Sequence, residues 1–173
     1  MSTAIRVTQA DYANPVHAAA LVMLLDAYAS DPMGGGEPLS DFAKAHLVPS
    51  LAARPQAYSV LAFASADDSV PVGLVNCIEG FSTFKCKPLV NVHDVVVVPA
   101  WRGHRIAQRM LQEVEALARG RGAHRAVQLQ QPRRAGAGER AGVGLVVGCD
   151  KRGGGSKDIV IVVCGEEWEG QDE

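Results

Sequence analysis

The chain has 173 residues, enough for one domain with an ordinary hydrophobic core. Its 17 Lys and Arg residues nearly balance 19 Asp and Glu residues, which argues against a general binder of nucleic acid but permits a small basic pocket for a phosphorylated ligand. No apolar run approaches the roughly 20 residues of a membrane helix, and the segment MSTAIRVTQADY lacks the apolar stretch of a secretory signal. We therefore expect a cytoplasmic protein without a nucleic-acid or membrane partner.

The first part of the chain predicts a strand, two helices and two more strands. Residues 5–8 alternate as in a short strand, and Asn14 with Pro15 is typical of a helix start. That helix ends before residues 31–38, and a second helix and strands at 58–64 and 71–79 follow. The predicted apolar face of the first helix consists of Val16, Ala19, Ala20, Met23, Leu24 and Ala27. That of the second consists of Leu39, Phe42, Ala43, Leu47 and Leu51.

Residues 90–98 predict a central strand, because four successive valines at its end indicate burial on both faces. A loop at 101–105 leads into the clearest predicted helix, residues 106–119, which Gly120 or Gly122 ends. Its apolar positions are Ile106, Met110, Leu111, Val114, Leu117 and Ala118. The order of elements favours a mixed α/β sheet with helices on its faces.

The composition changes toward the C-terminus. Twelve of the 18 glycines lie at or beyond position 120, and Trp168 is the one aromatic residue after Trp101. Residues 125–130 and 159–164 predict weak strands, whereas residues 132–156 show no usable periodicity and are expected to be poorly ordered. The four cysteines, Cys77, Cys86, Cys149 and Cys164, form no close pair, so we expect reduced thiols and no metal site.

Residues 95–107 combine a buried strand, a tight turn and the start of a helix. The free backbone N–H groups and the positive end of the helix dipole would together bind a diphosphate. Arg102, His104 and Arg105 add positive charge nearby, and Gly103 lets the backbone come close to a ligand.

The string NVHDVVVVPAWRGHRIAQRML, followed by a helix ending in ARGRGA, resembles the acyl-CoA signature of the GNAT superfamily of N-acetyltransferases. The matching positions are Trp101, Arg102, Gly103, Ile106, Ala107 and Leu111. Where the family has its middle glycine this chain has Arg105, which either obstructs the diphosphate or contacts it. The resemblance covers about residues 3–122 and implies a GNAT-like acyl-CoA N-acyltransferase fold whose C-terminal strands are degenerate or missing here.

The resemblance implies transfer of an acetyl group from acetyl-CoA to a primary amine of a small molecule or peptide, by direct attack. The pantetheine arm would lie on Val96, Val97 and Val98. The diphosphate would lie on the loop and helix start formed by Arg102, Gly103, His104, Arg105, Ile106, Ala107 and Gln108.

A base must take a proton from the attacking amine, and such a base is commonly a carboxylate on the central strands. The candidates are Asp94, Glu79 and His93, each of which has the alternative reading of a hydrogen-bonded structural residue. Strand alternation would put His93 and Asp94 on opposite faces. Asp31 and Glu37 lie where the family places a substrate-contacting loop, and they either attract a cationic amine or belong to a plain connector.

The resemblance implies that a tyrosine in a later helix acts as the acid that protonates the departing thiolate. No tyrosine follows Tyr58 in this chain, so that acid cannot be assigned. We therefore divide the chain into a GNAT-like domain, residues 1–130, and an atypical tail, residues 131–173, which is either divergent or read in a shifted frame. The abrupt change of composition favours the shifted frame. The alternatives to an active enzyme are a catalytically impaired acyl-CoA-binding or regulatory domain and a plain protein-interaction domain. A homodimer is left open.

Overall fold

The computed structural model describes residues 4–32 and 34–123, and the backbone of residues 125–128, 145–146 and 162–163. In chain order the elements are β1 (Arg6–Gln9), α1 (Pro15–Ser30), α2 (Asp41–Ala52), β2 (Ala57–Phe63), β3 (Pro71–Ser82), β4 (Lys87–Val97), α3 (Ile106–Gly120), β5 (Arg125–Gln128), β6 (Leu145–Val146) and β7 (Val162–Val163). In the part of the chain so described, no helix has the length and apolar character needed to cross a membrane.

Five strands form one mixed sheet in the order β1-β2-β3-β4-β5, which confirms the predicted fold class. The first three pairings are antiparallel, and β4 pairs with β5 in parallel, with α3 as the crossover between them. β6 and β7 form a separate ladder of two residues each. The predicted weak strands contain β5 and β7, whereas the prediction of poor order at residues 132–156 lies outside the described residues apart from β6.

One face of the sheet packs against α3. The predicted apolar positions of this helix are confirmed, since Ile106, Met110, Leu111, Val114 and Ala118 are buried and Leu117 packs beside them. Gly73 on β3 permits the close approach, because a Cβ at that position would lie 2.8 Å from Cε of Met110. The start of α3 is therefore held directly against the sheet.

The opposite face packs against α1 and α2. The residues of α1 that are buried are His17, Ala20, Leu21 and Leu24. The predicted face was wrong in part, since Val16 and Met23 are 45% and 50% exposed. On α2, Leu47 and Leu51 pack toward the core as predicted, but Phe42 is 72% exposed. Both helices are apolar over much of their circumference, so spacing alone does not choose the buried side.

Hydrogen bonds fix the start of α1 at both its cap and its first turn. Asn14 caps the helix as predicted, because its side-chain oxygen accepts from the N–H of Val16 at 2.9 Å. The buried ring of His17 accepts from the N–H of Asp11 at 3.1 Å and lies 3.2 Å from the carboxylate of Asp68 in the β2–β3 turn. Arg6 pairs with the same carboxylate. Burial raises the pKa of Asp68, but the hydrogen bonds from Arg6 and His17 outweigh it and leave the pKa below its usual value.

Candidate functional site

The C-terminal half of β4 is covered on both faces, as predicted from its valines. Val95 and Val97 pack on the α3 side, whereas Val96, 7% exposed, and Val98 pack on the side of α1 and α2. β3 pairs along the whole of β4, but β5 pairs only with Leu89–Val92. From residue 93 onward, the other edge of β4 therefore has no strand partner among the described residues.

The loop after β4 is closed by its own side chains. A short 3₁₀ turn, Pro99–Trp101, follows the strand, and Trp101 packs on the α3-side core. Nε of Arg102 donates to the carbonyl of Val97 at 3.3 Å. Nδ1 of His104 lies 3.0 Å from the carbonyl of Arg102 and 3.2 Å from that of Trp101, so the ring nitrogen donates to them. These contacts hold the chain in a tight turn into α3.

Two residues of the loop adopt left-handed backbone conformations. Gly103 has φ +79°, with open space where a Cβ would stand. Arg105 has φ 56° and ψ 24° and is the N-cap of α3, without a side-chain capping bond. Such a conformation costs a residue with a Cβ about 1 kcal/mol or more relative to glycine. Arg105 therefore adopts, at an energetic cost, a backbone conformation that glycine adopts readily.

The start of α3 presents a run of unused hydrogen-bond donors. The N–H of Arg109 is the first to bond back, to the carbonyl of Arg105 at 3.1 Å. Within the described residues, the N–H groups from 103 to 108 have no acceptor in the protein. Free N–H groups at a helix N-terminus, together with the helix dipole, are the features by which proteins commonly bind anions.

Basic side chains surround these donors and are accessible to solvent. The side chains of Arg102, His104 and Arg105 are exposed. Nη2 of Arg102 also lies 3.8 Å from the carboxylate of Asp31, in the connector between α1 and α2. Arg102 therefore links the end of β4, the start of α3 and the connector that the sequence marked as a candidate acceptor loop.

A β-bulge at His93 sets the position of Asp94. Cys77 pairs with Val92 and Asn76 pairs with Asp94, so His93 is the extra residue on β4. The alternation of faces is interrupted at this bulge, because Val92 faces α3 whereas Asp94 shares the α1/α2 face with Val96. His93 is exposed, and Asp94 is half-buried.

Asp94 is the end of a row of polar residues that sequence reasoning missed. Nδ2 of Asn76 donates to Oδ2 of Asp94 at 3.0 Å, and Oγ of Ser59 donates to Oδ1 of Asn76 at 2.7 Å. The hydroxyl of Tyr12 lies 2.9 Å from Oγ of Ser59. Burial raises the pKa of Tyr12 above its usual value. The signal available in the sequence was a polar residue, Ser59 or Asn76, flanked by apolar residues within each of two strands.

Glu79 lies elsewhere on the sheet. It pairs with Val90, seven residues before Val97, which corresponds to about 23 Å along the strand. Its carboxylate accepts from Nε of Arg121 at 2.8 Å, and the same guanidinium donates to the carbonyl of Pro55 and lies over the ring of Tyr58. Asp94 therefore lies on the half of β4 that leads into the loop before α3, whereas Glu79 lies beside the other half of the strand.

Within the described residues, no group of three or more His, Cys, Asp or Glu side chains is arranged to hold a metal ion. Cys77 is buried, and burial raises the pKa of its thiol to about 12. Cys86 is exposed. Cys149 and Cys164 lie outside the described residues.

Comparison with solved structures shows proteins of the same fold. A protein described as a probable acetyltransferase matches with a TM-score of 0.62 and 21% identity, over 73% of this chain and 79% of that chain. An aminoglycoside acetyltransferase from an uncultured soil metagenomic sample, in complex with sisomicin, matches with a TM-score of 0.60 and 15% identity, over 73% and 78% of the two chains. Glucosamine-6-phosphate N-acetyltransferase from Arabidopsis thaliana matches with a TM-score of 0.57 and 8% identity, over 74% and 83%.

A search of curated protein sequences finds no match to this chain. The family model of the GNAT acetyltransferases, in contrast, matches residues 22–138, which is more than half of the chain. The matched range includes α2, the strands β2 to β5 and the whole loop before α3. The chain therefore belongs to the acetyltransferase (GNAT) family.

Proposed function

We propose that this protein transfers an acetyl group from acetyl-CoA to a primary amine of a small molecule or peptide. The observation that carries the proposal is the run of six backbone N–H groups, 103–108, that have no acceptor among the described residues. They lie at the N-terminus of a long helix directly after the open edge of β4. A ligand with an anionic group at the helix N-terminus and an extended arm along the open edge of β4 would fit this combination. Acetyl-CoA is such a ligand, and the GNAT family generally uses it.

The residues present fit the diphosphate of acetyl-CoA. Gly103 leaves open space in front of the backbone, and Arg102, His104 and Arg105 supply exposed donors around it. Ile106 is buried against the sheet and fixes the direction of α3, while Ala107 and Gln108 contribute their N–H groups. The edge formed by Val96, Val97 and Val98 is our proposed place for the pantetheine arm.

Asp94 is our proposed general base. In direct attack the amine nitrogen forms a bond to the thioester carbonyl carbon, the carbon–sulfur bond breaks, and coenzyme A leaves as the thiolate. The amine must lose a proton, which passes to the carboxylate of Asp94 directly or through one water molecule. Oδ1 of Asp94 receives no hydrogen bond from the described residues and is the oxygen placed to accept it.

The two other candidate bases have weaker support. The carboxylate of Glu79 is held by Arg121 at a distant part of the sheet, and the exposed ring of His93 lies at the bulge. Both stay predictions. The proposal rests on Asp94 because it lies on the same half of β4 as the open edge.

Two measurements test the function in order. Calorimetry with acetyl-CoA should show binding, and no heat together with no thermal shift would reject every acyl-CoA function. Release of free thiol should then be followed with an amine panel containing an aminoglycoside, a polyamine, an amino acid and a peptide amino terminus. Thiol release that depends on one of these amines, with the acetylated amine found by mass spectrometry, would support transfer.

The second candidate function is a catalytically impaired acyl-CoA-binding or regulatory domain. It is favoured by one observation, the strained Arg105 at the N-cap where the family has glycine. Binding of acetyl-CoA without thiol release for any amine of the panel would support this function over the enzyme.

We also propose that residues 1–130 form the acetyltransferase domain and residues 131–173 a separate tail. The support is that, among the residues that the structure describes, the last strand of the five-stranded sheet is β5, which ends at Gln128. Limited proteolysis of the full chain should leave a resistant fragment that ends near residue 130. Resistance that extends through the tail would contradict this division.

A further inference from the structure

Three polar side chains lie in one row across the sheet, on the face that α1 and α2 cover. Ser59, Asn76 and Asp94 occupy adjacent positions on β2, β3 and β4, since Ser59 pairs with Asn76 and Asn76 pairs with Asp94. Tyr12, which precedes α1, reaches the row from the side through its hydroxyl.

The hydrogen bonds of this row all point the same way. Oδ1 of Asn76 carries no hydrogen, so Ser59 must donate to it. A serine hydroxyl has one hydrogen, so the hydroxyl of Tyr12 must in turn donate to Ser59. The series Tyr12, Ser59, Asn76 therefore ends in a donor to the carboxylate of Asp94. Hydrogen bonds in series polarise one another, which strengthens the last of them.

Packing alone gives no reason for such a row. Ser59 is fully buried and Asn76 is 7% exposed, whereas the next residues on the same face, Leu61 and Leu74, are apolar and fully buried. Apolar side chains of similar size would serve the core at least as well, because a network of buried polar groups returns little net stability. What distinguishes the row is its end, a half-buried carboxylate beside the open edge of β4.

Resting on the proposed function, in which Asp94 is the base, we propose that Asn76, supported by Ser59 and Tyr12, is the positioning residue for that base. Nδ2 of Asn76 holds Oδ2 of Asp94, so the carboxylate cannot rotate freely. Oδ1 is thereby left for the proton of the acceptor amine or of a bridging water molecule. The bulge at His93 is part of the device, because it places Asp94 opposite Asn76.

The test uses the full chain and an amine that the panel has identified. Asn76→Ala should lower kcat about tenfold or more, since it removes a hydrogen bond to a charged group. The KM for the amine and the Kd for acetyl-CoA should stay within about twofold, because a residue that acts only on the transition state changes kcat. Ser59→Ala and Tyr12→Phe should give progressively smaller losses. Ser82→Ala is the matched control, since it removes a hydroxyl from the distant end of β3.

A double variant separates positioning from a structural role. If Asn76 acts through Asp94, adding Asn76→Ala to Asp94→Asn should cost no further activity, because the two residues work as one unit. A structural role would lower activity by the same factor in both backgrounds and would overturn the proposal. Tyr12→Phe removes one oxygen and keeps the packing, so it supplies a folded variant in any case.

The remaining outcomes are distinct. Wild-type thiol release that Asp94→Asn abolishes but Asn76→Ala leaves unchanged would overturn the positioning role and keep the enzyme. A wild-type protein that acetylates no amine would overturn the proposed function, and the positioning role with it.

Discussion

Arg121 and Glu79 form an ion pair with 2.8 Å between Nε and the carboxylate, and this pair joins the end of α3 to β3. The same guanidinium donates to the carbonyl of Pro55 and lies over the ring of Tyr58. A carboxylate committed in this way serves the packing of α3 on the sheet. The half-buried Asp94 has instead one oxygen to which the described residues donate no hydrogen bond.

The two carboxylates can be compared by charge-removing variants. We expect Asp94→Asn to lower kcat for acetyl transfer by about 10²–10⁴-fold, the usual contribution of a general base. Binding of acetyl-CoA should persist, as calorimetry would show. Glu79→Gln should cost much less activity and should lower the melting temperature through loss of the Arg121 pair. A larger loss of kcat for Glu79→Gln would transfer the role of base to Glu79.

The strained N-cap predicts that Arg105→Gly stabilises the protein. Relief of the left-handed conformation should raise the free energy of unfolding by about 1 kcal/mol, or the melting temperature by about 2–4 °C. Arg105→Ala is the control, because it removes the guanidinium and keeps the strain. Comparing the acetyl-CoA affinity of the alanine variant with that of wild type then measures the effect of the Arg105 side chain alone. Tighter binding by the alanine variant would show that the side chain obstructs the diphosphate, and weaker binding would show that it contacts the diphosphate. Equal melting temperatures for the glycine and alanine variants would show that the left-handed backbone at position 105 does not destabilise the protein.

Arg102 is expected to bind the diphosphate of acetyl-CoA and not its pantetheine arm. Arg102→Ala should weaken acetyl-CoA binding about tenfold, the usual cost of a charge-assisted hydrogen bond. Binding of S-acetyl-pantetheine, which lacks the diphosphate, should change little. Asp31→Asn is the matched variant, and it should tighten acetyl-CoA binding because a competing carboxylate 3.8 Å from the guanidinium is removed. Equal losses for both ligands would show that Arg102 acts by holding the loop.

The carboxylate of Asp68 predicts a stability that depends on pH. Its pKa in the folded chain is lowered by Arg6 and His17, which together outweigh the effect of burial. Its contribution is therefore fully present above the pKa of an unfolded aspartate, about 3.9, and is lost as the pH falls through the lower folded value. Urea unfolding should show that Asp68→Asn is less stable than wild type at pH 7. The difference should shrink below about pH 4, and a difference that persists there would contradict the ionic contribution.

The buried thiol of Cys77 should be unreactive in the folded protein. The thiolate is the reactive form, and burial raises the pKa of this thiol to about 12. In a chain with Cys149 and Cys164 replaced by serine, a disulfide reagent at pH 8 should modify the exposed Cys86 quickly. Cys77 should react only after denaturant is added. Rapid modification of two thiols without denaturant would contradict the burial of Cys77.

The sequence predicted those elements whose signal is local. The helix α3 combines a sharp apolar face with a turn before it, and all its predicted core positions pack against the sheet. Asn14 and Pro15 marked the start of α1 because capping depends on neighbours in sequence. The loop before α3 was recognisable for the same reason.

Features that depend on tertiary packing could not be predicted from the sequence. The buried side of α1 was wrong in part because the helix is apolar nearly all round, and contact with the sheet, not spacing, selects His17 and Leu21. The row from Tyr12 to Asp94 joins residues up to 47 positions apart in one hydrogen bond, and no local pattern indicates such partners. The conformation of Arg105 could not be predicted either. The sequence shows an arginine where the family has glycine, but it does not show that this arginine adopts a left-handed backbone conformation.

The bulge at His93 must be counted in deciding which face of the sheet each later residue of β4 occupies. A strand places successive side chains on opposite faces, so one extra residue inverts the assignment of every residue that follows. Deleting His93 would remove the bulge and leave a regular ladder, in which Val92 still pairs with Cys77 and Asp94 still pairs with Asn76, so the faces of the residues after it would be kept. Replacing His93 would leave those assignments intact. Deleting a residue after Asp94, such as Val95, would instead exchange the faces of the valines that follow it and would therefore be far more damaging than the loss of His93.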